Sequence, residues 1–202
     1  SLTDRAENLI LKRFEHYQFG LRGTRGALTT VGVEKITREQ FINYINTRNL
    51  ASEFPGALGF GFIRRVAKEH ENEFLKFARQ DGAPNFTIRT LNPHSQDRFI
   101  IQYIYPIENN RQALGLDIGS EQNRRTAALL AARKDRPFLT APITLVQNNK
   151  KVKKGALVLL PIYPPNIPLN SESERENAVI GWSYAPLVID DVLVNLGELT
   201  DG

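Results

Sequence analysis

Four apolar, β-type segments punctuated by glycine and proline constrain this chain most. They are Phe54-Pro-Gly-Ala-Leu-Gly-Phe-Gly-Phe-Ile-Arg-Arg-Val66, Arg98-Phe-Ile-Ile-Gln-Tyr-Ile-Tyr-Pro106, Ala113-Leu-Gly-Leu-Asp117 and Leu139-Thr-Ala-Pro-Ile-Thr-Leu-Val-Gln147. Alternating aliphatic and aromatic residues between turn formers build sheets with buried faces. Almost none of these residues is suited to making or breaking bonds. The segments therefore predict a pocket rather than a catalytic centre, and a sensor ahead of an enzyme.

The chain of 202 residues is long enough for one large domain or two small ones, and its eleven Phe and six Tyr are enough to fill a core. The net charge of +4 arises from 26 basic against 22 acidic residues. The basic residues are spread along the chain, without the dense stripe of a nucleic-acid protein. Their one concentration, Lys150-Lys151-Val-Lys153-Lys154, lies between two apolar runs and reads as a solvated hairpin tip. Cysteine is absent, which excludes disulfides and thiolate chemistry. Methionine is absent even at position 1, as expected of a processed or excised segment. No apolar run approaches the roughly 18 residues of a membrane helix, so any membrane anchor is expected outside this sequence.

From Leu2 to Val31 the apolar positions recur at three- and four-residue steps, predicting a stalk-like helix over residues 3–30, about 45 Å long at 1.5 Å per residue. Gly20, Gly23 and Gly26 weaken it, and a shorter helix ending near Phe19 is the alternative. Thr37-Arg-Glu-Gln40 has capping-box spacing and opens a second helix ending near Leu50. Further helices are expected over residues 68–80, from a Ser120 cap to Lys134, and over 189–196. Strands are expected over 57–64, 86–91, 99–105, 113–118, 138–147, 155–162 and 179–187, with a polar, proline-rich loop over 161–177. The fold class is α+β with a mostly antiparallel sheet.

Chemistry-bearing constellations are sparse. His16, His70 and His94 pair neither with one another nor with a carboxylate at a metal-ligand spacing. Gly119-Ser120-Glu121 lacks the second glycine of a nucleophile elbow. The glycines at 56, 59 and 61 stand in the wrong order for a dinucleotide loop. No cofactor or metal is expected. What remains is a set of strand residues, Phe60, Phe62, Phe86, Ile101, Tyr103, Leu116 and Leu159, expected to alternate onto one inner sheet face, with Arg98, Asp117 and Thr140 as polar groups beside them. An apolar cavity with a few placed polar groups is how a small-molecule site looks, and the same alternation also fits an ordinary core. Asp117 fits a helix cap or a ligand contact; Arg64 and Arg65 fit an anion site or a solvated strand end.

Read in order, these motifs resemble the CHASE domain, an extracellular sensory module associated with cyclases and histidine kinases. Besides the four segments above, the resemblance rests on Asp81-Gly82, Arg124-Arg125, Leu160-Pro-Ile-Tyr163 and Gly181-Trp-Ser-Tyr-Ala-Pro-Leu187, covering roughly residues 25–196 and closer to the bacterial branch. It implies a domain facing the periplasm or cell exterior between two membrane helices that lie outside this sequence. It implies a long N-terminal helix (1–36), a membrane-distal PAS-like ligand-binding subdomain (37–162) and part of a membrane-proximal PAS-like subdomain (163–202), both with antiparallel sheets. A homodimer through the N-terminal helix would relay the binding of a small molecule to a kinase or cyclase. A protein-binding ectodomain and a soluble enzyme are the rival readings.

Overall fold

The apolar stripe near the N-terminus folds Leu2–Val31 into one unbroken helix, α1, and the shorter alternative is not taken. This computed structural model describes residues 2–146 and 150–198. Tyr17, Leu21, Thr24 and Leu28 form the buried face of α1. Two of its three glycines serve close approach. A Cβ at Gly20 would stand 2.6 Å from the Phe60 ring and 2.8 Å from that of Phe54, and Gly23 leaves room for the Tyr44 hydroxyl. Helix α2 (Arg38–Asn46) starts on the expected capping box: Thr37 Oγ1 accepts from Gln40 N–H at 3.2 Å, and Gln40 Oε1 accepts from Thr37 N–H at 3.0 Å.

After the short α3 (Leu50–Glu53) come β1 (Phe60–Val66), α4 (Glu71–Gln80), β2 (Arg89–Thr90), β3 (Arg98–Tyr105) and β4 (Leu116–Asp117). They are followed by α5 (Gln122–Lys134), β5 (Phe138–Leu139), β6 (Ile143–Val146), β7 (Val152–Ile162), α6 (Glu172–Ala178), β8 (Gly181–Val188) and α7 (Ile189–Glu198). The strand expected over 138–147 is broken into β5 and β6, and the break contains Pro142; Gln147 lies outside the described residues. The loop expected over 161–177 contains α6, whose cap Ser171 accepts from Glu174 N–H at 3.1 Å. Ser120 does not cap α5. Glu121 does, accepting from Asn123 and Arg124 N–H, while Ser120 Oγ accepts from Leu91 N–H and donates to the Asp117 carbonyl.

The architecture is α+β, with an N-terminal helix and a mixed sheet of eight strands. Its order is β2-β4-β3-β1-β8-β7-β5, with β6 also paired to β7; only β2 and β4 run parallel. The sheet is continuous across residue 162, since β8 pairs with both β1 and β7. One face carries Phe60, Phe62, Tyr103, Val158, Leu160 and Ala185 against α1 and α2. The other carries Ile63, Phe99, Ile101, Leu157, Leu159, Trp182 and Tyr184 against Ala127, Ala128, Ala131 and Ala132 of α5. Those alanines let the helix backbone approach closely, and Trp182 Nε1 donates to the Ala128 carbonyl at 2.9 Å. Helix α4 adds a smaller core of Phe74 and Ala78 on Val66, Phe86 and Ile100.

The expectation of one shared inner face needs a correction: Phe60, Phe62 and Tyr103 face α1 and α2, Ile101 and Leu159 face α5, and Phe86 packs with α4. For Ile101 and Tyr103 the cause is a β-bulge. Phe62 pairs with Tyr103 and Ile63 with Ile101, so Gln102 is an extra residue on β3 without a counterpart on β1. A strand's side chains alternate with period two, and one extra residue reverses the phase. Ile101 therefore faces α5 while Tyr103 faces α1 and α2.

A candidate small-molecule site on the α5 face of the sheet

Helix α5 covers only part of its sheet face. Beyond its N-terminal turn, Ile101, Leu157 and Tyr184 form the floor of a cavity of about 200 Å³. Leu116 and Ile118 close one side, Leu58 and Pro186 another, and β6 the third through Ile143 and Leu145. The Leu145 side chain folds over Gly155, where a Cβ would collide with it. The Tyr184 ring lies across Gly61, where a Cβ would meet both that ring and the Tyr103 carbonyl. The second glycine of the Gly-Phe-Gly-Phe run is thus what lets Tyr184 reach the cavity.

The polar groups on the wall differ in their commitments. Arg89 donates through Nη2 to the carbonyls of Gln112 and Leu114. Asn110 Nδ2 donates to the Leu58 and Pro106 carbonyls at 3.0 and 2.7 Å. Arg124 is paired with Glu121 at 2.8 Å. The Tyr184 hydroxyl is buried and has no hydrogen-bond partner in the protein. Burial pushes its phenol pKa upward, so it stays a neutral donor and acceptor. A buried hydroxyl without a partner costs about 1–3 kcal/mol, which a bound polar atom would recover.

The sequence-derived residues divide clearly. Ile101 and Leu116 stand together on the cavity wall. Leu159 shares their face but lies in the core with the α5 alanines, opposite Phe138. Thr140 ties the edge next to the floor, its Oγ1 accepting from Leu157 N–H at 2.9 Å. Asp117 is fully buried; it accepts from Phe99 N–H at 2.8 Å and Gly119 N–H at 2.9 Å, and its Oδ2 lies 2.6 Å from His94 Nε2. It caps the turn after β4. Arg98 is buried, paired with Glu71 and donating to the His94 carbonyl at 2.6 Å.

Phe60 and Phe62 pack on the α1 side, Phe60 edge-on to Phe54 with centroids 4.9 Å apart. Tyr103 stacks on Phe41 at 5.2 Å and donates to Asp81 Oδ2 at 2.6 Å. Phe86 is edge-on to Phe74 in the α4 core. Arg64 and Arg65 are both engaged, Arg64 with Glu34 and Arg65 with Asp97. Tyr184 was not among the expected contacts. Its signal was present in β8, where Trp182 and Tyr184 stand two apart in a fully buried strand.

Among the described residues no group of three or more His, Cys, Asp or Glu could hold a metal ion. The geometry is that of a small chamber with an aliphatic floor, lined in part by Tyr184, whose buried hydroxyl has no protein partner. The family model of the CHASE domain matches residues 34–201, and the chain belongs to that family, whose members are extracellular sensory domains of receptors. No curated protein matches the chain. Among the described residues no helix is long and apolar enough to cross a membrane.

Proposed function

We propose that this chain is the ligand-sensing part of a transmembrane receptor, facing the periplasm or cell exterior, and that the cavity on the α5 face takes its ligand. The carrying observation is that Tyr184, whose buried hydroxyl has no partner in the protein, lines the cavity. A dry apolar cavity of about 150 Å³ holds benzene, so a chamber of about 200 Å³ suits a small, mostly apolar molecule with one hydrogen-bonding group opposite Tyr184. Strand β8 supplies a route from the cavity to α1. Tyr184 faces the chamber, while its neighbour Ser183 faces the other way and donates to the Leu21 carbonyl of α1 at 2.9 Å. Occupancy shifts the packing of α1 only through differential affinity for two states. In this reading α1 pairs with a second copy, and the output is a histidine kinase or diguanylate cyclase. We place β8 with the membrane-distal PAS-like unit, because it is hydrogen-bonded on both sides within that sheet.

A thermal-shift screen of mono- and bicyclic fragments tests this. A fragment at 100 times its Kd stabilises by about 2.7 kcal/mol, about 5–10 °C for a domain of this size. Tyr184→Phe should shrink that shift, and Ala113→Phe, which intrudes on the cavity wall, should abolish it. A panel without a hit, or hits that both variants retain in full, would overturn the proposal.

A further inference from the structure

A larger groove lies on the rim of the sheet, between α2, the segment after α4 and the outer edge of β3. Its volume is about 520 Å³, inside the ~300–1,000 Å³ range of small-molecule sites. Three arginines line it, Arg38, Arg89 and Arg111, and its wall contains no Asp or Glu. Ile42, Phe86, Ile104 and Leu114 give it an apolar floor.

Arg38 is the most telling of the three. Its Nε donates to the Asp81 carbonyl at 2.9 Å, and its guanidinium lies over the Tyr103 ring, 5.0 Å from the centroid. Its Nη2 is buried with no hydrogen-bond partner. Asp81 is the nearest carboxylate, but its oxygens accept from the Arg38 backbone N–H at 3.0 Å and from the Tyr103 hydroxyl at 2.6 Å. They form no ion pair with the guanidinium. Arg111 is exposed and has no ion-pair partner among the described residues. Glu108, near it in the chain, is exposed and stands outside the groove wall. Burial lowers the Arg38 pKa, and the neighbouring Tyr103 and Asp81 offset this only in part.

We propose that this groove, which shares Arg89 with the α5-side cavity, is a second binding site, for an amphiphilic organic carboxylate. The carboxylate would accept from Arg38 Nη2 and Arg111, and the apolar body would lie on Ile42, Phe86 and Leu114. Guanidinium matches a carboxylate in shape and charge, and the excess of three cations on an apolar floor selects an anion with a hydrophobic tail.

Titration of the whole chain with 4-phenylbutyrate and with neutral 4-phenylbutyramide, followed by amide NMR shifts, tests the assignment. The acid should bind at least about tenfold tighter than the amide, as expected of hydrogen bonds to a charged group. Gly82 and Thr87 should shift, while Leu145 and Tyr184 should not. Arg111→Gln alters an exposed side chain, so it should fold normally and weaken the acid severalfold while leaving the amide unchanged. Absence of binding at millimolar acid, equal affinities for acid and amide, shifts centred on Tyr184, or an unaltered affinity in Arg111→Gln would each overturn it.

Discussion

Asp117 offers the sharpest test of the structure, because burial and bonding fix its role numerically. Replacing it with alanine removes the acceptor of two buried N–H groups, those of Phe99 and Gly119, bonded at 2.8 and 2.9 Å. Each orphaned donor costs about 1–3 kcal/mol, and the contact with His94 Nε2 at 2.6 Å is lost as well. Together these give about 3–5 kcal/mol, a large share of the 5–15 kcal/mol typical of a folded domain. For a chain of this size that lowers Tm by roughly 6–20 °C. Asp117→Asn keeps Oδ1 as the acceptor of both N–H groups and should cost only about 1–2 kcal/mol. Urea unfolding followed by the fluorescence of Trp182, the single tryptophan, measures both variants. Hydrogen exchange at Phe99 and Gly119 should accelerate in Asp117→Ala and much less in Asp117→Asn. If alanine costs less than about 1 kcal/mol, or the two variants lose equally, the capping role is wrong. A ligand contact would behave differently, leaving the empty protein's stability intact and abolishing only the ligand shift.

Gly61→Ala places a Cβ against the Tyr184 ring and the Tyr103 carbonyl; the carbonyl cannot retreat without disturbing the β1–β3 ladder, so a loss of about 2–4 kcal/mol in urea melts is expected, and a loss under about 0.5 kcal/mol would refute the close packing. Burial pushes the Glu121 pKa up, but hydrogen bonds from Asn123 N–H, Arg124 N–H and the Arg124 guanidinium outweigh it and hold the group below the usual carboxylate range. A folded-state pKa below the unfolded one gives stability that is present above about pH 4.3 and fades as pH falls through the folded value. Glu121→Gln should therefore cost about 1 kcal/mol at pH 7, as loss of a helix cap does, and melts at pH 3 should show that gap narrowed; a gap independent of pH would refute the capping account.

Features set by neighbours in the chain were legible in the sequence. The capping box at Thr37 and the continuity of α1 follow from residues within one or two helical turns. The long strands β1, β3, β7 and β8 follow from local alternation. Ser171 and Glu174 also carried a capping spacing, but the prolines upstream of them drew the whole stretch into a loop reading. What escaped depends on pairing between distant segments. The strands expected over 86–91 and 113–118 shrink to the two-residue β2 and β4, because little of either finds a partner. Asp117 could be read as a cap or a contact until the positions of Phe99 N–H and Gly119 N–H were known.

The bulge at Gln102 has the widest consequence of these distant effects. Were β3 regular, with no bulge at Gln102, Tyr103 would share the face of Ile101, and a bulky ring would join the side that holds the cavity. With it, the aromatic residues Phe60, Phe62 and Tyr103 gather against α1 and α2, where Gly20 makes room for the Phe60 ring. On the opposite face Phe99 and Trp182 pack under α5, and the cavity floor is left to Ile101, Leu157 and Tyr184. An aliphatic floor and short alanine contacts from α5 leave space that a second row of aromatics would fill. The phase change on β3 therefore separates the face that holds the stalk helix from the face that holds the chamber, and β8, with Ser183 on one side and Tyr184 on the other, is the strand that joins them.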